Sequence, residues 1–163
     1  MGIKEDLEER RQREAAKRYF RQNNVEFFDT KMWVKLFFSG FSMAIGCGFL
    51  YALFVSFSHI HFQYILGLIG IMIARTLKQV AHTGNRKIAL LTVCFYAFSL
   101  FMSFVFTSVL MIYTSIPGAS FMGLLTNGLV YRMAFQQITS LHFFTVFIFI
   151  FGGIYGYQNG LSN

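Results

Sequence analysis

The sequence predicts an all-α integral membrane protein. It has four transmembrane helices with both termini in the cytoplasm, a charged cytoplasmic helix ahead of them, and an amphipathic outer segment before the last span. Three observations carry this. Of 163 residues, 55% are hydrophobic and 22 are Phe, above the roughly 45–50% apolar content of an ordinary soluble domain. These residues fall in charge-free blocks: Leu36 to Ser58, Ile60 to Ala74, Ile88 to Ile116 and Leu141 to Tyr157. Finally, all seven Asp and Glu lie before Thr30, so the rest of the chain has no carboxylate side chain.

A span needs about 20 residues, with a range of about 17–25. The first and third blocks meet this alone, and the fourth lies at the short limit. The second meets it once Arg75 and Lys78 snorkel and the helix runs on to about Val80. The spans fall at about 33–58, 60–80, 88–114 and 140–158. They form a membrane domain over 31–163 that follows a cytoplasmic charged helix and interfacial segment over 1–30.

Orientation follows from the basic residues. The connector from Arg75 to Lys87 holds Arg75, Lys78, Arg86 and Lys87 and no acid, which places it in the cytoplasm and pins both neighbouring helices. With the N-terminus inside as well, thirteen of fourteen Lys and Arg lie inside and Arg132 alone lies outside. The net charge of +7 is therefore a topology signal first and an attraction to anionic headgroups second. No basic groove with interleaved stacking aromatics is present, so nucleic acid is excluded as a partner.

In chain order, the mixed charges of the first stretch and the lack of an early apolar core argue against a secretory signal. Lys4 to Arg21 reads as a solvated helix, with Asp6–Arg10, Glu9–Arg13 and Glu14–Arg18 spaced four apart, acid first. Each such pair contributes about 0.2–0.5 kcal/mol. Docking of this helix on a cytoplasmic partner is the sharper alternative. Asn23 and Asn24 end it, Val25, Phe27 and Phe28 dip into the interface, and Asp29 or Thr30 caps the next helix. Trp33, beside Lys31 and Lys35, stands where an interfacial anchor belongs.

In the first span Gly40, Ala44 and Gly48 repeat every four residues, and Gly152 and Gly156 do the same in the last. Such small-residue faces admit a second backbone at close range, where lipid offers no hydrophobic gain. The sequence leaves open whether the partner is another helix of this chain, a second copy or a different protein. Ser99, Ser103 and Thr107 share one face of the third span. They read either as hydroxyls bonding to helix carbonyls or as a polar lining for a pathway.

His59 and His61 alternate in the outer turn, and His142 begins the last span. Together they form a candidate metal site, though no carboxylate is available to orient them. Cys47 and Cys94 read as buried, inert thiols at different depths. Ser115-Ile-Pro-Gly-Ala-Ser120 breaks the third span. Phe121 to Ile138 is interrupted by Gly123 and Gly128 and carries Asn127, Arg132, Gln136 and Gln137. This favours an outer amphipathic helix, with a re-entrant segment as the alternative. Arg132 is the candidate for an anion or lipid headgroup.

From Tyr51 through Leu91 a further pattern runs through Tyr51-Ala-Leu, an aromatic outer turn ending at Tyr64, Gly67 and Gly70 in the second span, and Asn85-Arg-Lys-Ile-Ala-Leu-Leu91. This order resembles a group of small bacterial four-helix membrane proteins without assigned function. The resemblance covers about a quarter of the chain and implies no activity. Such proteins resemble subunits attached to a soluble module, often a zinc ribbon, and this sequence has no cysteine pairing of that kind.

No acid follows residue 29 to orient a catalytic histidine, and no nucleophile-elbow, zinc-protease or phosphate-loop motif occurs. The expectation is a non-catalytic accessory, assembly or regulatory subunit of a membrane complex. It needs no cofactor, and its partners are the bilayer and another membrane protein or a second copy. A small oligomeric transporter or channel for neutral or anionic solutes is the alternative. Cation pumping is disfavoured because no span holds a carboxylate.

Overall fold

The computed structural model describes residues 8–16, 19, 28–58, 63–139 and 143–161, and these are all helix apart from short connections. Helix α1 covers 8–16. It is followed by α2 (Thr30–Ser58), α3 (Gln63–Ala81), α4 (Arg86–Ser115), α5 (Phe121–Leu125), α6 (Gly128–Thr139) and α7 (Phe143–Leu161). By length and composition α2 and α4 are long and apolar enough to cross a membrane. The other two expected spans are shorter, at 19 residues each. Arg75 and Lys78 lower the hydropathy of α3, and Gln158 and Asn159 that of α7.

The helix ends follow local chemistry. Phe28 meets Trp33 edge-on at 5.7 Å across the start of α2, a hydrophobic staple that fixes the entry of the chain. Asp29 stands at the cap, and its carbonyl oxygen accepts from Met32 and Trp33. Between α3 and α4 the chain reverses in four residues, 82–85, with His82 at φ 56. Asn85 then caps α4, its side chain accepting from the Ile88 amide at 3.0 Å. At the far end Pro117 and Gly118 occupy the centre of a turn closed from Ala119 to the Ile116 carbonyl at 3.2 Å. Gly118 has φ 84, which identifies a type II turn and requires a residue tolerant of positive φ.

Helix α4 is the centre of the bundle, in contact with α2, α3, α5, α6 and α7. It runs parallel to α2, with Gly40 opposite Phe95 and Gly48 opposite Ser99 and Ser103. It runs antiparallel to α7, where Gly160 meets Ala89 and Gly156 meets Thr92. This register brings Lys31, Lys35, Arg75, Lys78, Arg86 and Lys87 to one end of the bundle.

Toward the other end, Val130 and Ala134 of α6 share a buried cluster with Val105 and Val109. Tyr131 stacks on Phe101, the ring centroids 6.4 Å apart. Phe101 lies midway along α4, so α6 reaches down beside α4 and does not rest only on its tip. Arg132, Gln136 and Gln137 are good helix formers, and Val130 and Ala134 seat the helix against α4.

The surface is apolar. Phe57 is 84% exposed, and Phe38 and Leu50 are each 64% exposed. Ser99, Ser103 and Ser108, by contrast, are fully buried. The rest of the core is mainly apolar, with Leu36, Leu66, Ile73, Leu77 and Ile88 fully buried.

Candidate functional site

The small-residue face of α2 is spent within the chain. Ala44 is fully buried, and its carbonyl accepts the Ser99 hydroxyl at 2.8 Å. A Cβ on Gly48 would stand 3.1 Å from the Ser99 carbonyl oxygen and 3.2 Å from the Ser103 amide nitrogen. At Gly40 it would run into the Phe95 ring, with Leu77 Cδ2 3.1 Å away. Matching i, i+4 rows from two helices have interlocked, as ridge-into-groove packing requires. The next hydroxyls on that face of α4 bond back to their own helix. Ser103 donates to the Ser99 carbonyl and Thr107 to the Ser103 carbonyl, both at 2.8 Å.

A second node joins α3, α4 and α7 around Tyr96, which is 3% exposed. Its ring lies between Gly70, whose ideal Cβ would be 3.5 Å from Cδ2, and Gly153, whose ideal Cβ would be 3.8 Å from Cδ1. At Gly152 a Cβ would run into the Tyr96 hydroxyl and sit 2.9 Å from the Gly67 Cα. Gly156 approaches the Gly70 carbonyl oxygen and Thr92 Cγ2, each 3.2 Å from its ideal Cβ. Only glycine lets α3 and α7 meet at this distance. Among the described residues the buried Tyr96 hydroxyl has no hydrogen-bond partner, and neither has the Ser108 hydroxyl.

Sequence reasoning found Gly152 and Gly156 but missed Gly160 and Tyr96. The signal for Gly160 was present, since Gly152, Gly156 and Gly160 continue the same four-residue spacing. Nothing in the sequence distinguishes Tyr96 from the other tyrosines, because its role depends on three helices meeting.

The remaining candidates do not converge on one site. Arg132 is exposed on α6, flanked by exposed Tyr131 and Met133. Arg75 and Arg86 are exposed at the basic end, far along α4 from that helix. His59, His61 and His142 lie outside the described residues. Among the described residues no group of three His, Cys, Asp or Glu is placed to hold a metal ion. One expectation is corrected: Cys47 is buried, but Cys94 is exposed. Residue 94 falls on the side of α4 that neither α2 nor the glycine row of α7 covers.

Helix α7 is flanked by two apolar grooves. One, of about 740 Å³, runs between α4 and α7. The other, of about 580 Å³, runs between α3 and α7. They arise because α7 is glycine-rich where it touches its neighbours and carries Phe147, Ile150 and Phe151 on its flanks.

Comparison with protein-family models, with curated proteins and with solved structures finds no match. The chemistry of the site therefore rests on the chain's own residues.

Proposed function

We propose that the chain is a four-span protein of the cell membrane, with both termini cytoplasmic. In this reading it acts as a non-catalytic accessory, assembly or regulatory subunit of a membrane complex. Its apolar exterior supports the membrane setting, since Phe and Leu at these exposures are stable only against hydrocarbon or another protein. The single basic end supports the orientation, because Lys and Arg are retained on the cytoplasmic side. Val130 and Ala134 are buried against α4 while Arg132 and Gln136 are exposed, which supports an amphipathic outer segment.

The observation that carries the functional reading is the closure of the Ser99–Ser103–Thr107 face. A solute path would need those hydroxyls, and they are buried, with Ser99 bonded across to the Ala44 carbonyl of α2 and Ser103 and Thr107 bonded back to carbonyls of α4. No acid follows Asp29 to take up a proton in their place. A partner, in turn, cannot use Gly40, Ala44 and Gly48 without displacing α4. That leaves the exposed helix α1, which carries the Glu9–Arg13 pair at 2.8 Å, as the surface for docking.

The test is purification in mild detergent of the intact chain and of a chain lacking residues 4–21, with mass spectrometry of what accompanies each. A stoichiometric partner that is lost with the deletion supports the reading. A partner retained by the deletion moves docking elsewhere and refutes the role of α1. A clean homo-oligomer that passes a neutral or anionic solute in liposomes replaces the reading with transport.

A further inference from the structure

We propose that the groove between α4 and α7 holds an acyl chain of one anionic phospholipid, with its phosphate on Arg86. The inference rests on the membrane reading above and adds a specific ligand to it. The groove is lined by Val93, Ala97 and Leu100 of α4 and by Ile150, Gly153 and Ile154 of α7. Its volume of about 740 Å³ falls within the roughly 300–1,000 Å³ of small-molecule sites.

What selects the occupant is the end at which the groove opens. Gly160 lies against Ala89, so the last turn of α7 sits beside the first turn of α4. Gln158 and Leu161 line the groove at that end. On α4, Arg86, Leu90, Val93, Ala97 and Leu100 are spaced i, i+4, i+7, i+11 and i+14, which is one helical stripe. An exposed guanidinium thus terminates the same stripe that forms the groove wall.

Guanidinium binds phosphate through paired, charge-assisted hydrogen bonds. Arg75 lies at the same basic end, and neither α4 nor α7, the two helices that wall the groove, contains an Asp or Glu. This surface complements a molecule that is apolar along its length and anionic at one end. A choline headgroup would bring a cation up to the basic cluster. A second copy of the chain would bring another Arg86 and Lys87, again like charge against like.

The test uses the full chain in mild detergent, titrated with palmitoyl-oleoyl phosphatidylglycerol or with the phosphatidylcholine of the same chains and read by native mass spectrometry. One saturable phosphatidylglycerol adduct is expected, favoured over phosphatidylcholine by about tenfold, the scale of one charge-assisted contact. Arg86→Gln should bring the two lipids close to parity. Ala97→Phe fills the groove from an exposed position and should remove the adduct. Gly153→Leu should do the same from the α7 side, since a Cβ there meets only the Tyr96 ring at an ordinary 3.8 Å.

The proposal is overturned by equal binding of the two lipids, by adducts that accumulate without saturating, or by an adduct that survives both groove-filling variants. A lipid-free dimer would also overturn it. Any of these from a protein that fractionates with membranes leaves the membrane reading standing. Recovery of the chain in the soluble fraction without detergent would remove both.

Discussion

Replacing Tyr96 by Phe should stabilise the protein, against the usual effect of losing a tyrosine hydroxyl. At a hydrogen-bonded site the hydroxyl contributes roughly 0.5–1.5 kcal/mol, which Phe forfeits. Here the hydroxyl is buried and unpartnered, a condition that costs about 1–3 kcal/mol. Removing the oxygen also gives up a handful of contacts at about 0.1–0.2 kcal/mol each, on the order of 0.5 kcal/mol together. The net expectation is a gain of about 0.5–2.5 kcal/mol. Equilibrium unfolding in mixed micelles, titrated with SDS and followed by far-UV circular dichroism, measures it. A loss of more than about 0.5 kcal/mol would refute the reasoning, because it would mean the hydroxyl has a partner such as water or a lipid. A double-mutant cycle sharpens the result. Gly152→Ala drives a methyl into that hydroxyl, so its cost should fall in the Tyr96→Phe background, with coupling of about 0.5–3 kcal/mol for groups in contact. It should not vanish, since the Gly67 Cα remains 2.9 Å from the new methyl.

Two glycines two residues apart should behave oppositely. Gly46→Ala meets nothing within 4 Å and should gain up to about 1 kcal/mol of helix propensity, whereas Gly48→Ala presses on α4 backbone and should lose about 1–3 kcal/mol, both by the same SDS titration. Ser99→Ala removes the bond to the Ala44 carbonyl and should cost about 0.6 kcal/mol, and at most roughly 1.7; a larger loss would mean the hydroxyl does more than join α2 to α4. His82→Gly should stabilise by about 1 kcal/mol, because a non-glycine residue in the left-handed region costs about 1–2 kcal/mol and glycine returns part of that as lost chain entropy. A lipid-soluble maleimide should modify one thiol per folded chain, at Cys94, with Cys47 reacting only after denaturation; peptide mapping reads this directly.

The periodic features of the fold were legible in the sequence. The blocks of apolar residues located α2, α3, α4 and α7 to within a few residues, because an uninterrupted hydrophobic run and its length are local properties. Asn85, Pro117 and Gly118 acted where their chemistry placed them, as a cap and a turn. The four-residue spacing of small residues falls where ideal Cβ atoms at Gly40, Gly48, Gly152 and Gly156 would meet neighbouring helices within 3.2 Å. What it withheld was the identity of the surface on the other side, which depends on how the helices are ordered around α4. Cys94 shows the same limit. Its place in an apolar block says that it is surrounded by apolar groups, but not whether those belong to protein or to the exterior. The reach of α6 beside α4 was equally hidden, since its polar residues describe only its outer face and its contact with α4 rests on Val130 and Ala134.

This limit bears on how a partner would be recruited. Glycine rows in an apolar helix invite the inference of an intermolecular contact, and α2 and α7 each carry one. Both are consumed internally: one by the α2–α4 contact through Ser99, the other by the α3–α4–α7 node through Tyr96. Inserting a foreign helix at either would exchange one set of backbone contacts for another of the same kind, with little net gain, since hydrocarbon supplies no hydrophobic drive between helices. Recruitment must draw on surfaces with energy still to give. Among the described residues, the readings proposed above leave the charged helix α1 and the groove between α4 and α7, with Arg86 on the same stripe of α4. A bulky substitution at Gly48 should therefore weaken assembly only as far as it unfolds the chain, whereas deleting residues 4–21 or filling the groove at Ala97 should act on folded protein. Measuring partner recovery against the folded fraction separates the two, and a loss at Gly48 in excess of unfolding would reopen that face as a docking surface.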